Sequence, residues 1–197
     1  MVSDETEECV IIDCGVYYEE ERRAIVNYIH GNGLQPMHLL CTHGHLDHNF
    51  GNNTIYEAFA LAPEVSEGDE KMMQNLERQA QSFYGMSLDY EMPPVGKILS
   101  EDEPVTFGIH SWKVIATPGH SKGSVCFYDA SERVLFAGDT LFQRSIGRTD
   151  LMGGSMLQII QSLRMLAQLP DETTVYCGHG PTTTIGDELR MNPYMDR

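Results

Sequence analysis

This chain of 197 residues is short of positive charge: 13 Lys and Arg stand against 29 Asp and Glu, for a formal net charge of −16. Phosphate backbones and anionic lipid surfaces are gripped by clustered Lys and Arg, so neither a nucleic acid nor a membrane is an expected partner, and a small-molecule substrate is. Long apolar runs are also missing, and no stretch reaches the roughly 20 residues that cross a bilayer. The five cysteines, Cys9, Cys14, Cys41, Cys126 and Cys177, make an odd number without a paired framework. Four of them lie within or beside apolar runs, which reads as small buried hydrophobes in a reducing compartment. The first eight residues are acidic and lack the regions of a signal peptide, so the expected location is cytoplasmic. The length suits one domain over 1–197 with a core of its own.

What the chain does have is concentrated in Thr42-His43-Gly44-His45-Leu46-Asp47-His48. Three imidazoles and a carboxylate in six residues are hard to explain as packing. Crowded imidazoles repel when protonated, and burial brings them nothing unless something pairs with them. A bound cation solves both problems. His43 and His45 can face one metal while Asp47 and His48 face a second, with Gly44 allowing a tight turn between them. The apolar stretch Met37-His38-Leu39-Leu40 reads as a strand, so the cluster sits on the loop that leaves it.

Three later segments repeat this pattern of an apolar strand ending in a ligand-type residue beside a glycine. They are Thr117-Pro118-Gly119-His120, Ala137-Gly138-Asp139-Thr140 and Cys177-Gly178-His179-Gly180. The count gives His43, His45 and His120 to one metal, and Asp47, His48 and His179 to the other, with Asp139 bridging. Nitrogen and oxygen donors suit zinc first, and iron or manganese as well. Two such cations about 3.5–4 Å apart hold a bridging hydroxide near neutral pH, which predicts hydrolysis. Asp47 is the candidate catalytic residue, orienting that hydroxide besides ligating. His30, His38 and His110 lack such company and read as surface or structural residues. Thr140 and Ser145 read as support and turn residues.

The remaining pattern predicts strands at Cys9–Asp13, Trp112–Thr117, Ser124–Tyr128, Val134–Ala137 and Thr174–Cys177. Helices are expected at Glu19–Ile29, Thr54–Ala60, Ser66–Tyr84, Ser155–Leu169 and near Asp187–Met191, with a loop over Met86–Glu103. This order suggests α/β architecture with two stacked sheets and helices outside.

Four collinear motifs, His43 to His48, Pro118 to His120, Gly138 to Phe142 and Gly178 to Pro181, together resemble the metallo-β-lactamase superfamily. Gly147-Arg148-Thr149-Asp150 and Asn192-Pro193-Tyr194 are similar to its short glyoxalase II-like (hydroxyacylglutathione hydrolase-like) branch. The resemblance implies an αββα sandwich, a binuclear site with the ligands named above, and hydrolysis of a small thioester or ester. Two-zinc β-lactamases of the kind resembled carry a cysteine at the Asp139 position, so antibiotic hydrolysis is not expected. The branch's glutathione-contacting lysine falls on Arg148, the candidate substrate-binding residue. Its two tyrosines fall on Asp150 and Pro181, which weakens the case for glutathione. The family also begins with a strand ahead of Cys9, for which only eight mostly polar residues remain. A missing first strand and an open sheet edge are therefore expected, in a monomer or homodimer. Two rival functions are a mono-iron persulfide dioxygenase-like enzyme and a non-catalytic metal-binding domain.

Overall fold

In a computed structural model, which describes residues 1–196, the chain divides into two compact units, Met1–Leu99 with Thr106–His110, and Ser100–Val105 with Ser111 onward.

The first unit holds β1 (Val2–Ser3), β2 (Glu8–Ile12), α1 (Glu19–Gly31), β3 (Gln35–Leu40), α2 (Asn52–Phe59), β4 (Pro63–Ser66), α3 (Glu67–Met73), α4 (Leu76–Gln79) and β5 (Lys97–Leu99). Its sheet runs β1-β2-β3-β4-β5, with β2 through β5 parallel and β1 antiparallel on the edge. Strand, helix and strand alternate because the apolar period switches between 2 and 3.6 along the chain. Ile11 and Leu39 are register partners, and they pack with Ile29 of α1 and Ile55 of α2. All four side chains are essentially inaccessible, each worth about 1.5–3 kcal/mol of burial. A second cluster joins Cys41, Leu46 and Phe50 to Met73, Leu76 and Ala80.

Parallel strands deliver their carboxyl ends to one rim, where ligands gather in α/β sheets. Here β2 ends at Asp13, β3 runs into the histidine loop, and β4 leads into α3, which carries Asp69.

Three expectations are corrected in this unit. A strand does precede Cys9: Val2 and Ser3 pair with Val10 and Cys9, so β2 is not the open edge. The stretch 66–84 is not one helix. Its helical run is interrupted at Gln74-Asn75, where the chain leaves α3 and restarts as α4, and it ends in a π turn at Ala80–Tyr84. The expected loop over 86–103 contains β5, which pairs in parallel with β4. Its short Lys-Ile-Leu core beside Pro93-Pro94 and Gly96 masked the strand signal.

Six strands form the second sheet: β6 (Val105–Phe107), β7 (His110–Ala116), β8 (Val125–Asp129), β9 (Val134–Gly138), β12 (Thr174–Cys177) and β13 (Thr183–Thr184), in the order β13-β12-β9-β8-β7-β6. The hairpin β10 (Leu141–Phe142) and β11 (Ser145–Ile146) stands apart, and α5 (Met156–Leu166) and α6 (Ile185–Met191) complete the unit. Cys126, Tyr128, Leu135, Ala137 and Val175 supply the inward side of alternating strands and pack against Leu163 and Leu166 of α5 and Ile185 of α6. Ser155 caps α5 by accepting from the Gln158 amide, as its position before the apolar stripe predicts. Strands β9 and β12 run parallel, and β7 runs with them because β8 opposes both β7 and β9. Their carboxyl ends therefore point to one rim, carrying His120, Asp139 and His179.

His38, read from sequence as surface or structural, is structural. Its Nδ1 lies 2.6 Å from Glu64 Oε1 on β4, and its Nε2 lies 3.1 Å from the Thr106 carbonyl. The hydrogen bond to Glu64 raises the His38 pKa against the opposing effect of burial. With the folded value above the unfolded one, the pair's stabilisation is complete below the unfolded value, roughly pH 6.5, and is lost as pH rises through the folded value. Glu64 is buried and its Oε2 has no hydrogen-bond partner, so the imidazolium is its main compensation. His38→Ala is expected to cost about 1.5–3 kcal/mol in urea unfolding of chelator-treated protein at pH 6, and clearly less at pH 9. An equal cost at both values would refute the ion pair.

Candidate metal centre

In the first unit the candidate ligands sit on the turn after β3. His43, His45 and His48 are all buried. The His43 ring centroid is 4.9 Å from that of His45 and 4.2 Å from that of His48. Three imidazoles this close cannot all carry protons without strong repulsion.

Their orientation is set from outside. The Asp13 carboxylate accepts from the Thr42 amide at 2.7 Å, from the Thr42 hydroxyl at 2.7 Å and from His48 Nδ1 at 3.0 Å. Since the Thr42 hydroxyl spends its proton on Asp13, its oxygen is left to accept from His43 Nδ1, 2.9 Å away. Both rings are thereby held as Nδ1–H tautomers, which puts the lone pair on Nε2, where it would serve a cation. Asp13, His43 and His48 offer atoms within 4.8 Å of one another. Asp13 nonetheless belongs to the support, because its oxygens are engaged with Thr42 and His48.

The loop backbone is clamped as well. Asp69 accepts from the Gly44 amide at 2.9 Å, and Gln79 bonds both the Leu46 amide and the Gly44 carbonyl. Asn49 donates to the carbonyls of His43 and His45, and is itself held by Asn52. Gly44 serves a different end from the one expected. Its φ is not positive; a Cβ there would come within 2.9 Å of the Met72 side chain, so the glycine lets α3 close over the loop. Asp47, more accessible than the histidines, has Oδ2 at 3.7 Å from His48 Nε2.

In the second unit the candidate ligands stand at the ends of β7, β9 and β12. Asp139 Oδ2 lies 3.6 Å from His120 Nε2 and 3.8 Å from His179 Nε2. His120 is buried and His179 exposed. His120 Nδ1 bonds the Arg148 carbonyl at 2.8 Å, which fixes the same tautomer as in the first unit. Gly147 makes that possible: a Cβ there would overlap the Asp139 carbonyl and crowd His120 Nδ1. Thr140 supports, as expected, through a 2.8 Å hydroxyl–hydroxyl bond to Thr117 that ties two ligand loops together.

Arg148 bears on the site through its backbone. Its exposed guanidinium forms two 2.7 Å bonds to Asp150 and draws the Asp150 carboxyl down to about 2. An incoming carboxylate would have to compete with that partner. Asp13 is the site residue that sequence reasoning missed. Its signal was present, since Ile11-Ile12-Asp13-Cys14-Gly15 repeats the pattern of an apolar strand, a carboxylate and a glycine.

The family model described as the metallo-beta-lactamase superfamily matches residues 1–179. The chain belongs to that superfamily. It is 33% identical to hydroxyacylglutathione hydrolase GloC of Haemophilus influenzae, over all of this chain and 91% of that one. Among solved structures it is similar to BLEG-1 B3 metallo-beta-lactamase, with a TM-score of 0.86 and 34% identity over 98% of this chain and 91% of that one. It is also similar to TTHA1623 in a di-iron-bound form, with a TM-score of 0.80 and 36% identity over 93% and 88%. The superfamily's fold is thus this chain's fold: mixed α/β, with sheets flanked by helices. The donor set fits divalent metal, since imidazole nitrogens with preset tautomers and carboxylate oxygens are what zinc, iron and manganese take. Among the described residues no helix is long and apolar enough to cross a membrane.

Proposed function

We propose that this superfamily member is a binuclear metallohydrolase of small thioesters or esters. In this reading His43, His45, His120, Asp47, His48 and His179 hold two divalent cations, with Asp139 shared between them. The observation that carries it is the common orientation of the donors. His43, His48 and His120 each have Nδ1 engaged by a partner outside the cluster, and the Nε2 atoms of His48, His120 and His179 lie within 4 Å of a carboxylate. Such preset lone pairs are costly to bury unless a cation uses them. The name of GloC supports the substrate class, and the di-iron form of TTHA1623 supports two metals.

Bound there, two cations would activate water at neutral pH and polarise the scissile carbonyl. The chain's own part is positioning and proton handling. Asp47 Oδ1, with Oδ2 beside His48 as the ligand atom, accepts a proton from the attacking water and returns it to the departing thiolate or alkoxide, so water and thioester yield acid and thiol. Asp13 and Thr42 keep the rings of His43 and His48 from turning, and Asp69, Gln79 and Asn49 keep their backbone from relaxing. Arg148 is the proposed contact for a substrate carboxylate, exchanged from Asp150.

The test combines elemental analysis of purified protein with turnover on S-lactoylglutathione, simple thioesters, lactones and a β-lactam. The last is included because of the likeness to BLEG-1. Two metals per chain and thioester turnover that vanishes in His120→Ala are expected. One iron per chain with persulfide-dependent oxygen uptake, or full metal loading without any turnover, would replace this reading with one of the two rivals.

A further inference from the structure

An aromatic cluster stands beside Asp47 and has no part in the mechanism above. Tyr17 packs on Phe50 with centroids 4.9 Å apart and on Tyr18 at 5.2 Å, and Phe50 packs on Tyr84 at 5.6 Å. Phe50 forms the floor at 8% exposure, while Tyr17 and Tyr84 stay 39% and 48% exposed. Grouped aromatic surface left in water, rather than scattered singly, marks a place where something docks.

Its position is fixed by the metal loop. Phe50 follows Asp47 by three residues. The segment leading to Tyr17 lies flush with the loop, because a side chain at Gly15 would strike the Asp47 carbonyl. Burial, and next the Asp47 carboxylate, raise the Tyr84 pKa, which places that ring within the carboxylate's field.

The rings are held in place. The amides of Tyr17 and Tyr18 both donate to Glu21 Oε2 at the start of α1, and the Tyr17 hydroxyl donates to Met86 Sδ at 3.7 Å. The nearby cation, Arg22, sits 4.1 Å over the Tyr90 ring, and the Tyr90 hydroxyl is tied to the Phe50 carbonyl. A ring platform held in this way, with Tyr17 and Tyr84 part-exposed, loses little entropy on accepting a ligand.

We infer that Tyr17, Phe50 and Tyr84 form the specificity wall for the substrate's acyl or thiol arm, selecting an uncharged arm with an aromatic or branched apolar body. The inference rests on the hydrolase reading for the meaning of "substrate". The Glu21 carboxylate, which holds the Tyr17 and Tyr18 amides, sets negative charge beside the rings, so an arm ending in a carboxylate meets repulsion there where an apolar one meets stacking.

The experiment uses a matched pair of non-hydrolysable thioethers, 2-(benzylthio)ethanol and its 4-carboxybenzyl counterpart, titrated into metal-loaded protein and followed by NMR shifts. The neutral thioether should bind saturably, and the acid more weakly. The double variant Tyr17→Ala, Tyr84→Ala should weaken the neutral ligand roughly tenfold. Tyr28→Ala, which removes an exposed ring elsewhere on α1, should change nothing. Equal binding of the two thioethers, unchanged affinity in the double variant, or no saturable binding at all would overturn the inference. Binding that follows the expected pattern in a protein that hydrolyses no ester or thioester would leave the wall standing and remove the hydrolase reading instead.

Discussion

Asp139→Asn should strip the protein of turnover while leaving its fold intact. One carboxylate oxygen, Oδ2, faces His120 Nε2 at 3.6 Å and His179 Nε2 at 3.8 Å, and it is the proposed shared ligand. Asparagine keeps the shape but removes the charge. Turned one way, its amide oxygen takes the place of Oδ2; turned the other, an N–H faces both imidazoles. Losing several kcal/mol of charge stabilisation corresponds to a fall of about 10³-fold or more in kcat. Metal content should drop from two ions per chain to one or fewer. The core around Leu135, Ala137 and Leu163 does not depend on that charge, so far-UV dichroism should be unchanged. Two ions per chain and turnover within tenfold of the parent would show that Asp139 does not bridge.

Much of this was legible because the residues that bear metal chemistry follow apolar strands directly. The β3, β7, β9 and β12 strands are short, largely apolar runs, and the ligand-type residue after each sits within four positions of the strand's end. Period and punctuation were enough to find them. Capping chemistry was equally local, as Ser155 shows. What stayed hidden depended on partners distant in sequence. Asp69 and Gln79 are 25 and 35 residues from the Gly44 backbone they hold, and nothing in their own neighbourhoods marks them. The Arg148 contribution runs through a carbonyl, which every residue possesses. Edge strands of two or three residues, such as β1 and β5, are held by neighbours' hydrogen bonds and not by their own propensity.

Asp13 is where such support should be most visible. Its carboxylate serves three donors, and the tautomers of two proposed ligands depend on it: His48 directly and His43 through the Thr42 hydroxyl. Asp13→Asn converts one acceptor oxygen into a donor. With the amide nitrogen in place of Oδ2, both the Thr42 hydroxyl and His48 Nδ1 face an N–H; in place of Oδ1, the Thr42 amide does. Metal affinity should fall by about 10- to 100-fold, in keeping with the loss of a carboxylate behind a ligating histidine. Thr42→Val breaks only the arm to His43, so its loss should be smaller, and Thr42→Ser should restore parental affinity because the hydroxyl relay survives. Competition with a chromophoric chelator at fixed pH measures all three. If Asp13→Asn binds metal like the parent, or if Thr42→Val is the worse of the two, the relay from Asp13 does not orient these rings. Their geometry would then be set by the backbone clamp of Asp69, Gln79 and Asn49 alone.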